Sequence, residues 1–326
     1  MSADAARTSP RATNVVIASA RVSAVEISNV TKTFQTVTAV DRLSLSIPEG
    51  SVYGFIGPNG SGKSTTMRMI ANIFYPDSGT IRVFGQERVG TRSAEIGYLP
   101  EERGVYRKMR VRALLEFHGE LRSGRNVTAE VNAWLERLGL AEWADQKVET
   151  LSKGMSQKVQ LIAAVIPEPK LLILDEPFTG LDPVSADSIR GAVLEMRKRG
   201  CTVILSTHDM GTAENLCDAI FMIFKGKKVL DGTLASIRNS YGSDTIRVEL
   251  ESGGLGDLPG IEQIKDMGKV QELRMSEGCD PQQVLHMLAS RVSITSFAVV
   301  QPSLHDIFVR IAGPRFAPDM EEHRFA

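Results

Sequence analysis

Between Gly57 and Ser64 the chain reads GPNGSGKS, which fits the spacing G-x-x-x-x-G-K-[ST]. Glycine at 57, 60 and 62 lets the backbone turn its N–H groups inward, and such a concavity suits phosphate oxygens. The flanks of this loop constrain the fold. VYGFI, Val52 to Ile56, is a compact apolar run of the buried-strand type. The text from Ser64 to Phe74 predicts a helix, ended by the turn Pro76-Asp77-Ser78-Gly79. A strand that feeds a glycine loop and then a helix aims the helix's positive end at the loop.

The rest of the chain repeats this alternation. VEISNV, LSLSI (Leu43 to Ile47) and TIRVFG read as strands. A helical middle follows, with Val111, Leu114, Leu115, His118 and Leu121 on one face and Val131, Leu135 and Leu138 on another. LLILDE, Leu171 to Glu176, is a second buried strand, and a helix from Ser185 to Arg199 turns Ile189, Val193 and Met196 inward. It leads to a third strand, TVILST, and IFMIFKGKKVL reads as a hairpin turning at Lys225-Gly226-Lys227. Continuous apolar strands alternating with helices predict a mostly parallel sheet covered on both faces, hence an α/β fold. Polar turn residues near Ser240 to Asp244 mark a boundary. Beyond it, TIRVELE, VQELRM and SFAVVQ predict strands and PQQVLHMLAS a helix, a small α+β domain. The expected organisation is a disordered leader at 1–22 (a transit peptide is the other reading), a main domain at 23–240 with a helical subdomain near 100–160, a small domain at 241–313 and a loose tail at 314–326.

Composition removes several classes. Lys plus Arg number 38 and Asp plus Glu 39, so the net charge of -1 argues against a dedicated nucleic-acid binder. The 3 cysteines, Cys201, Cys217 and Cys279, match no metal-ligand spacing and read as idle thiols. No apolar run approaches the ~20 residues of a membrane-spanning helix.

The loop and two strand ends carry the candidate chemistry. Gly57, Pro58, Asn59, Gly60, Ser61, Gly62, Lys63, Ser64 and Thr65 are the candidate nucleotide-binding residues. Lys63 is placed for the β- and γ-phosphates and the Ser64 hydroxyl for Mg²⁺. LLILDE aims Asp175 at its carboxyl end, where it can hold the Mg²⁺ shell, with Glu176 placed to polarise an attacking water. STHDM repeats the design on the TVILST strand, and His208 can donate to the γ-phosphate or position the water.

A phosphate cradle alone does not choose among nucleotide enzymes. There is no N-K-x-D to read guanine, and a second stretch, LSKGMSQKVQ from Leu151 to Gln160, places a serine and a glycine as if to open another phosphate-facing helix. With this stretch the chain, from Val25 to Ser240, resembles the nucleotide-binding subunits of ATP-binding-cassette transporters. Walker A (Gly57 to Ser64), the signature (Leu151 to Met155), Walker B (Leu171 to Asp175), Glu176, the D-loop GLD (Gly180 to Asp182) and the switch His208 stand in the family's order.

The resemblance implies a P-loop NTPase cassette that binds ATP and Mg²⁺ and dimerises head to tail, each ATP gripped by one P-loop and the other chain's signature. Ser152, Lys153, Gly154 and Met155 then face the partner's ATP, Asp182 lies at the same seam, and Phe34 takes the place of the adenine-stacking aromatic. It also implies a separate transmembrane permease and a peripheral position on the cytoplasmic face of the membrane. Two features depart from the family pattern. The common LSGGQ is LSKGM here, and Glu101, in GYLPEERGVYRKM, stands where a glutamine usually couples Mg²⁺ to the membrane partner. Those stretches and PSLHDIF (Pro302 to Phe308) look like export-type ATPases such as those of daunorubicin and sodium exporters. A cassette ATPase without a membrane partner and an importer ATPase are the alternatives.

Overall fold

The computed structural model describes residues 23–87, 95–102, 104, 106–242, 244–252 and 255–312. The expected leader and tail lie outside them. The chain divides between Thr233 and Leu234 into two compact units.

The first unit opens with two long antiparallel strands, β1 (Ser23–Phe34) and β2 (Val37–Pro48), whose alternating burial puts Val25, Ile27, Leu45 and Ile47 inside. The apolar run becomes β3 (Val52–Ile56), buried throughout, and it enters the glycine loop directly. The helix that follows, α1 (Lys63–Ile70), is shorter than the expected Ser64–Phe74. Asn72 takes φ +58° and the N–H groups of Ile73 and Phe74 both turn back to the Arg68 carbonyl, which ends the α-helical ladder. Next come β4 (Ser78–Val83), β5 (Gln86–Glu87) and β6 (Ile96–Leu99).

The helical middle contains α2 (Val111–Ser123), α3 (Thr128–Arg137) and α4 (Lys153–Val165). Val111, Leu114, Leu115, Val131, Leu135 and Leu138 are buried as their spacing predicts. Leu121 is not: it is 71% exposed. The buried face of α2 leans the other way, through Gly119, where an added Cβ would strike Ile166 and Val127 at 2.5 and 2.6 Å.

The order then runs β7 (Leu171–Leu174), α5 (Pro183–Lys198), β8 (Thr202–Thr207), α6 (Met210–Leu216), β9 (Ala219–Phe224) and β10 (Lys227–Thr233). Ile189, Val193 and Met196 of α5 are buried, and the β9–β10 hairpin turns at Lys225 and Gly226, both at positive φ. Two sheets result. One is antiparallel, in the order β2-β1-β4-β5; the other has the order β10-β9-β3-β8-β7-β6 and is parallel except at β10. A shared core joins them through Val25, Leu45, Phe55, Met67, Ile70 and Phe221.

That second order positions the site. β3 and β7 both pair with β8, in register at Ile56↔Thr207 and Leu174↔Leu205. The residues leaving three neighbouring strands, Gly57, Asp175 and His208, therefore emerge at one carboxyl edge, where open α/β sheets bind ligands.

The second unit contains α7 (Leu234–Tyr241), β11 (Thr245–Ser252), β12 (Ile261–Asp266), β13 (Val270–Met275), α8 (Pro281–Ala289), β14 (Ser293–Val300) and α9 (Leu304–Ala312). Its antiparallel sheet, β12-β13-β11-β14, shares a core with α8 through Ile246, Val248, Leu273, Val284 and Leu288. The expected boundary near Ser240 differs from this division by α7, which belongs to the second unit. No described helix is long and apolar enough to cross a membrane.

Candidate active site

The glycine loop is built from backbone constraints. Gly57, Gly60 and Gly62 have φ of 153°, 73° and 111°, values an L side chain rarely adopts. A Cβ at Gly57 would meet the Ile223 carbonyl at 2.3 Å, and one at Gly62 the Ala39 carbonyl at 2.4 Å, so the loop is seated against neighbouring backbone. At Gly60 nothing lies within 4 Å, and there the loop faces open space. Lys63, only 5% exposed, donates from Nζ to the carbonyls of Gly57 (2.6 Å) and Pro58 (3.2 Å). Burial lowers its pKa, against the opposing pull of Glu176, Asp175 and Glu101.

Ser64 and Asp175 meet across the edge. The Ser64 hydroxyl donates to Asp175 Oδ1 at 3.0 Å, while Asp175 Oδ2 is buried without a hydrogen-bond partner. A hydroxyl beside a fully buried carboxylate with an unmet acceptor fits part of an oxygen shell for Mg²⁺. Among the described residues no group of three or more His, Cys, Asp or Glu could hold a metal ion by itself. The Ser61 hydroxyl is likewise buried and unpartnered inside the loop. Glu101 is exposed and stands outside the Ser64–Asp175 pair, though its charge acts on Lys63.

Glu176 is held from several directions. Its φ of +47° is a left-handed conformation that costs a non-glycine residue about 1–3 kcal/mol. The Ser206 hydroxyl offsets this by accepting the Glu176 N–H at 2.7 Å while donating to Asp175 Oδ1 at 2.7 Å. Oε2 of Glu176 bonds His208 Nδ1 and accepts the Thr179 hydroxyl, each at 3.0 Å. Oε1 lies 3.6 Å from Lys63 Nζ and is buried with no hydrogen bond. Burial pushes the Glu176 carboxyl up, but His208, Lys63 and Thr179 together hold it below its usual range. The bond to Glu176 raises His208 in turn, and toward an ionised carboxylate, which can only accept, Nδ1–H is the donor.

The signature residues form a separate cluster. Ser152 caps α4, its hydroxyl accepting the Met155 N–H at 3.3 Å. Gly154 is buried where a Cβ would strike Ser185 Oγ at 2.5 Å and approach Asp182 Oδ2 at 3.3 Å. The Lys153 ammonium lies over Gly180, 1.9 Å from where a Cβ would stand. Asp182 caps α5 by accepting the Ser185 N–H at 2.9 Å, and its bonds from Ser185 lower its pKa. Among the described residues no hydrogen bond or ion pair ties residues 152–155 to residues 57–65. Phe34 is 41% exposed at the end of β1, edge-on to Phe74 at 5.5 Å, so it is not a core residue.

Sequence reasoning passed over Ser206 and Thr179. Ser206 opens the quoted STHDM and is legible only with the strand order, whereas Thr179, in PFTGLD, stands three residues after Glu176 and its hydroxyl was the local signal.

Residues 40–179 match the ABC transporter family, and residues 232–312 match the C-terminal domain of DrrA1-3-like ATP-binding proteins. The ABC transporter ATP-binding protein YhaQ of Bacillus subtilis (strain 168) is 40% identical over 291 residues, 88% of this chain and 98% of that one. The daunorubicin/doxorubicin resistance ATP-binding protein DrrA of Streptomyces peucetius is 32% identical over 310 residues, 89% of this chain and 92% of that one. A solved structure of an ATP binding subunit of an ABC transporter superposes with a TM-score of 0.62 at 28% identity, covering 67% of this chain and 93% of that one. The chain belongs to the ATP-binding proteins of ABC transporters, ATPases whose hydrolysis is coupled to transport, and it carries a C-terminal domain of the DrrA type.

Proposed function

We propose that the chain hydrolyses Mg·ATP as half of a dimer, on the cytoplasmic face of a membrane, and drives export through a separate membrane-spanning partner. The observation that carries the catalytic assignment is the Glu176 carboxylate, buried, 3.6 Å from the P-loop lysine and held below its usual carboxylate range by His208, Lys63 and Thr179. A carboxylate in that state accepts a proton from water as the water oxygen attacks the γ-phosphorus and the bond to the β,γ-bridging oxygen breaks. Lys63 and the loop N–H groups hold the phosphates, and His208 orients Glu176. Ser64 and Asp175 would hold Mg²⁺, which when bound would supply positive charge against the phosphate oxygens, and Glu101 is the further oxygen donor the sequence offers for it. Phe34, an exposed ring on the first sheet, stacks on adenine.

Dimerisation is supported by the signature cluster's having, among the described residues, no hydrogen bond or ion pair to the P-loop of its own chain. Ser152 and Gly154, backed by Lys153 and Met155, contact the terminal phosphate held by the partner's P-loop, with Asp182 beside them. Export is supported by the likeness to DrrA, a resistance protein, over nearly the whole of both chains. Permease docking is supported by an exposed aromatic group on the helical middle. Tyr106 and Phe117 lie edge to face at 6.4 Å with His118 beside both, and Leu121 and the exposed Arg107 and Lys108 lie nearby in sequence. The docking surface is assigned to the helical middle near Val105 to Met109, of which Val105 lies outside the described residues.

Glu176→Gln tests the assignment. It keeps ATP binding and loses turnover, read as phosphate release and nucleotide titration on the same preparation. A variant hydrolysing ATP at the parent rate removes Glu176 from the role.

A further inference from the structure

The two oxygens of the Glu176 carboxylate are not equivalent. Oε2 takes both directional contacts, from His208 Nδ1 and from the Thr179 hydroxyl, at 3.0 Å each. Oε1 is buried, takes no hydrogen bond and lies 3.6 Å from Lys63 Nζ. With two anchors on one oxygen the carboxylate plane is fixed, and the other oxygen, buried and facing Lys63, keeps lone pairs that no hydrogen bond uses. We infer that Thr179 is a positioning residue for hydrolysis, locking Oε2 so that Oε1 is the basic atom. The inference rests on the reading of Glu176 as the base.

Thr179 has a second property that His208 lacks. It stands three residues after Glu176, its own N–H returning to the Glu176 carbonyl at 3.3 Å, and it leads straight into Gly180 and Asp182. Gly180 lies under the Lys153 ammonium, and Asp182 lies against the buried Gly154. The hydroxyl that orients the base thus belongs to the short segment on which the signature residues of the same chain rest. Any displacement of that segment alters the hold on Oε2. Thr179 thereby joins the orientation of Glu176 to the seating of Lys153 and Gly154.

The test compares Thr179→Val, which keeps the shape and removes the hydroxyl, with Thr179→Ser, which keeps the hydroxyl. One donor to a charged oxygen predicts a fall in kcat of about tenfold in Thr179→Val. KM and the directly measured Kd for ATP stay within about twofold of the parent, because Thr179 touches no phosphate-holding residue. Thr179→Ser recovers most of the lost kcat. Parent-like kcat in Thr179→Val, a loss confined to KM, or a Thr179→Ser as impaired as Thr179→Val each overturns the inference. Glu176→Gln is run alongside: if it is inactive while Thr179→Val is parent-like, only the inference falls. If Glu176→Gln hydrolyses ATP normally, the base assignment falls and takes the inference with it.

Discussion

Ser206 illustrates how much of the site is decided by a residue with no chemistry of its own. It is fully buried on β8, accepts the Glu176 N–H and donates its hydroxyl hydrogen bond to Asp175, so it fixes both strand-end acids at once. Ser206→Ala leaves a buried N–H and one carboxylate lone pair unmet, which costs about 1–3 kcal/mol. Chemical denaturation of the variant is expected to show that loss, together with a fall in ATPase rate; a variant with parent stability and parent rate contradicts it. The contrast with the P-loop explains what was legible in the text. Gly57, Gly62, Lys63 and Ser64 stand at a fixed spacing within one loop, so spacing alone identifies them, even though Ser64 reaches as far as Asp175. Ser206 works through a partner on another strand, 31 residues from Asp175, and no local pattern records that β8 lies beside β7. The wrong inward face for Leu121 has the same origin, since Gly119 is the residue that lets α2 approach Ile166 and Val127.

At the scale of elements, the stretch PSLHDIF acquires a physical meaning. Ser303 and Asp306 form a reciprocal cap at the start of α9. The Ser303 N–H donates to Asp306 Oδ2 at 3.1 Å, and the Asp306 N–H donates to Ser303 Oγ at 3.2 Å. Leu304, Ile307 and Phe308 of that helix are buried. Burial pushes the Asp306 carboxyl up, but Ser303 and Lys265 hold it below its usual range. A depressed folded pKa contributes stability that is present above the unfolded pKa and lost as pH falls through the folded one. Ser303→Ala is expected to destabilise the C-terminal unit by about 1 kcal/mol near neutral pH, with the deficit shrinking in acid. Amide exchange in α9 reads this directly, and unchanged protection contradicts it. Strand β12 was not foreseen because IEQIKD is exposed along almost its whole length and lacks the alternation that marks a half-buried strand.

At the scale of the whole molecule, the first unit holds the nucleotide chemistry and the second has its own core. The α/β class and the parallel sheet were readable because continuous apolar strands alternate with helices. The antiparallel sheet of the first unit was not, since β1 carries no local sign that it pairs with β2 and β4 apart from the parallel sheet. Transport requires the chain to act on another polypeptide, and the exposed Arg107 and Lys108 stand beside the aromatic group assigned to docking. Reversing both charges is expected to abolish transport by the assembled system while ATPase activity of the isolated chain survives. Equal loss of both activities contradicts that assignment.

The central claim is that each triphosphate is clasped by two chains, one through its P-loop and the other through Ser152 and Gly154. Light scattering on the purified Glu176→Gln protein with and without saturating Mg·ATP tests it most directly. A dimer that appears with Mg·ATP and is abolished by adding Ser152→Arg is the result the account predicts. A protein that stays monomeric with nucleotide demonstrably bound contradicts it.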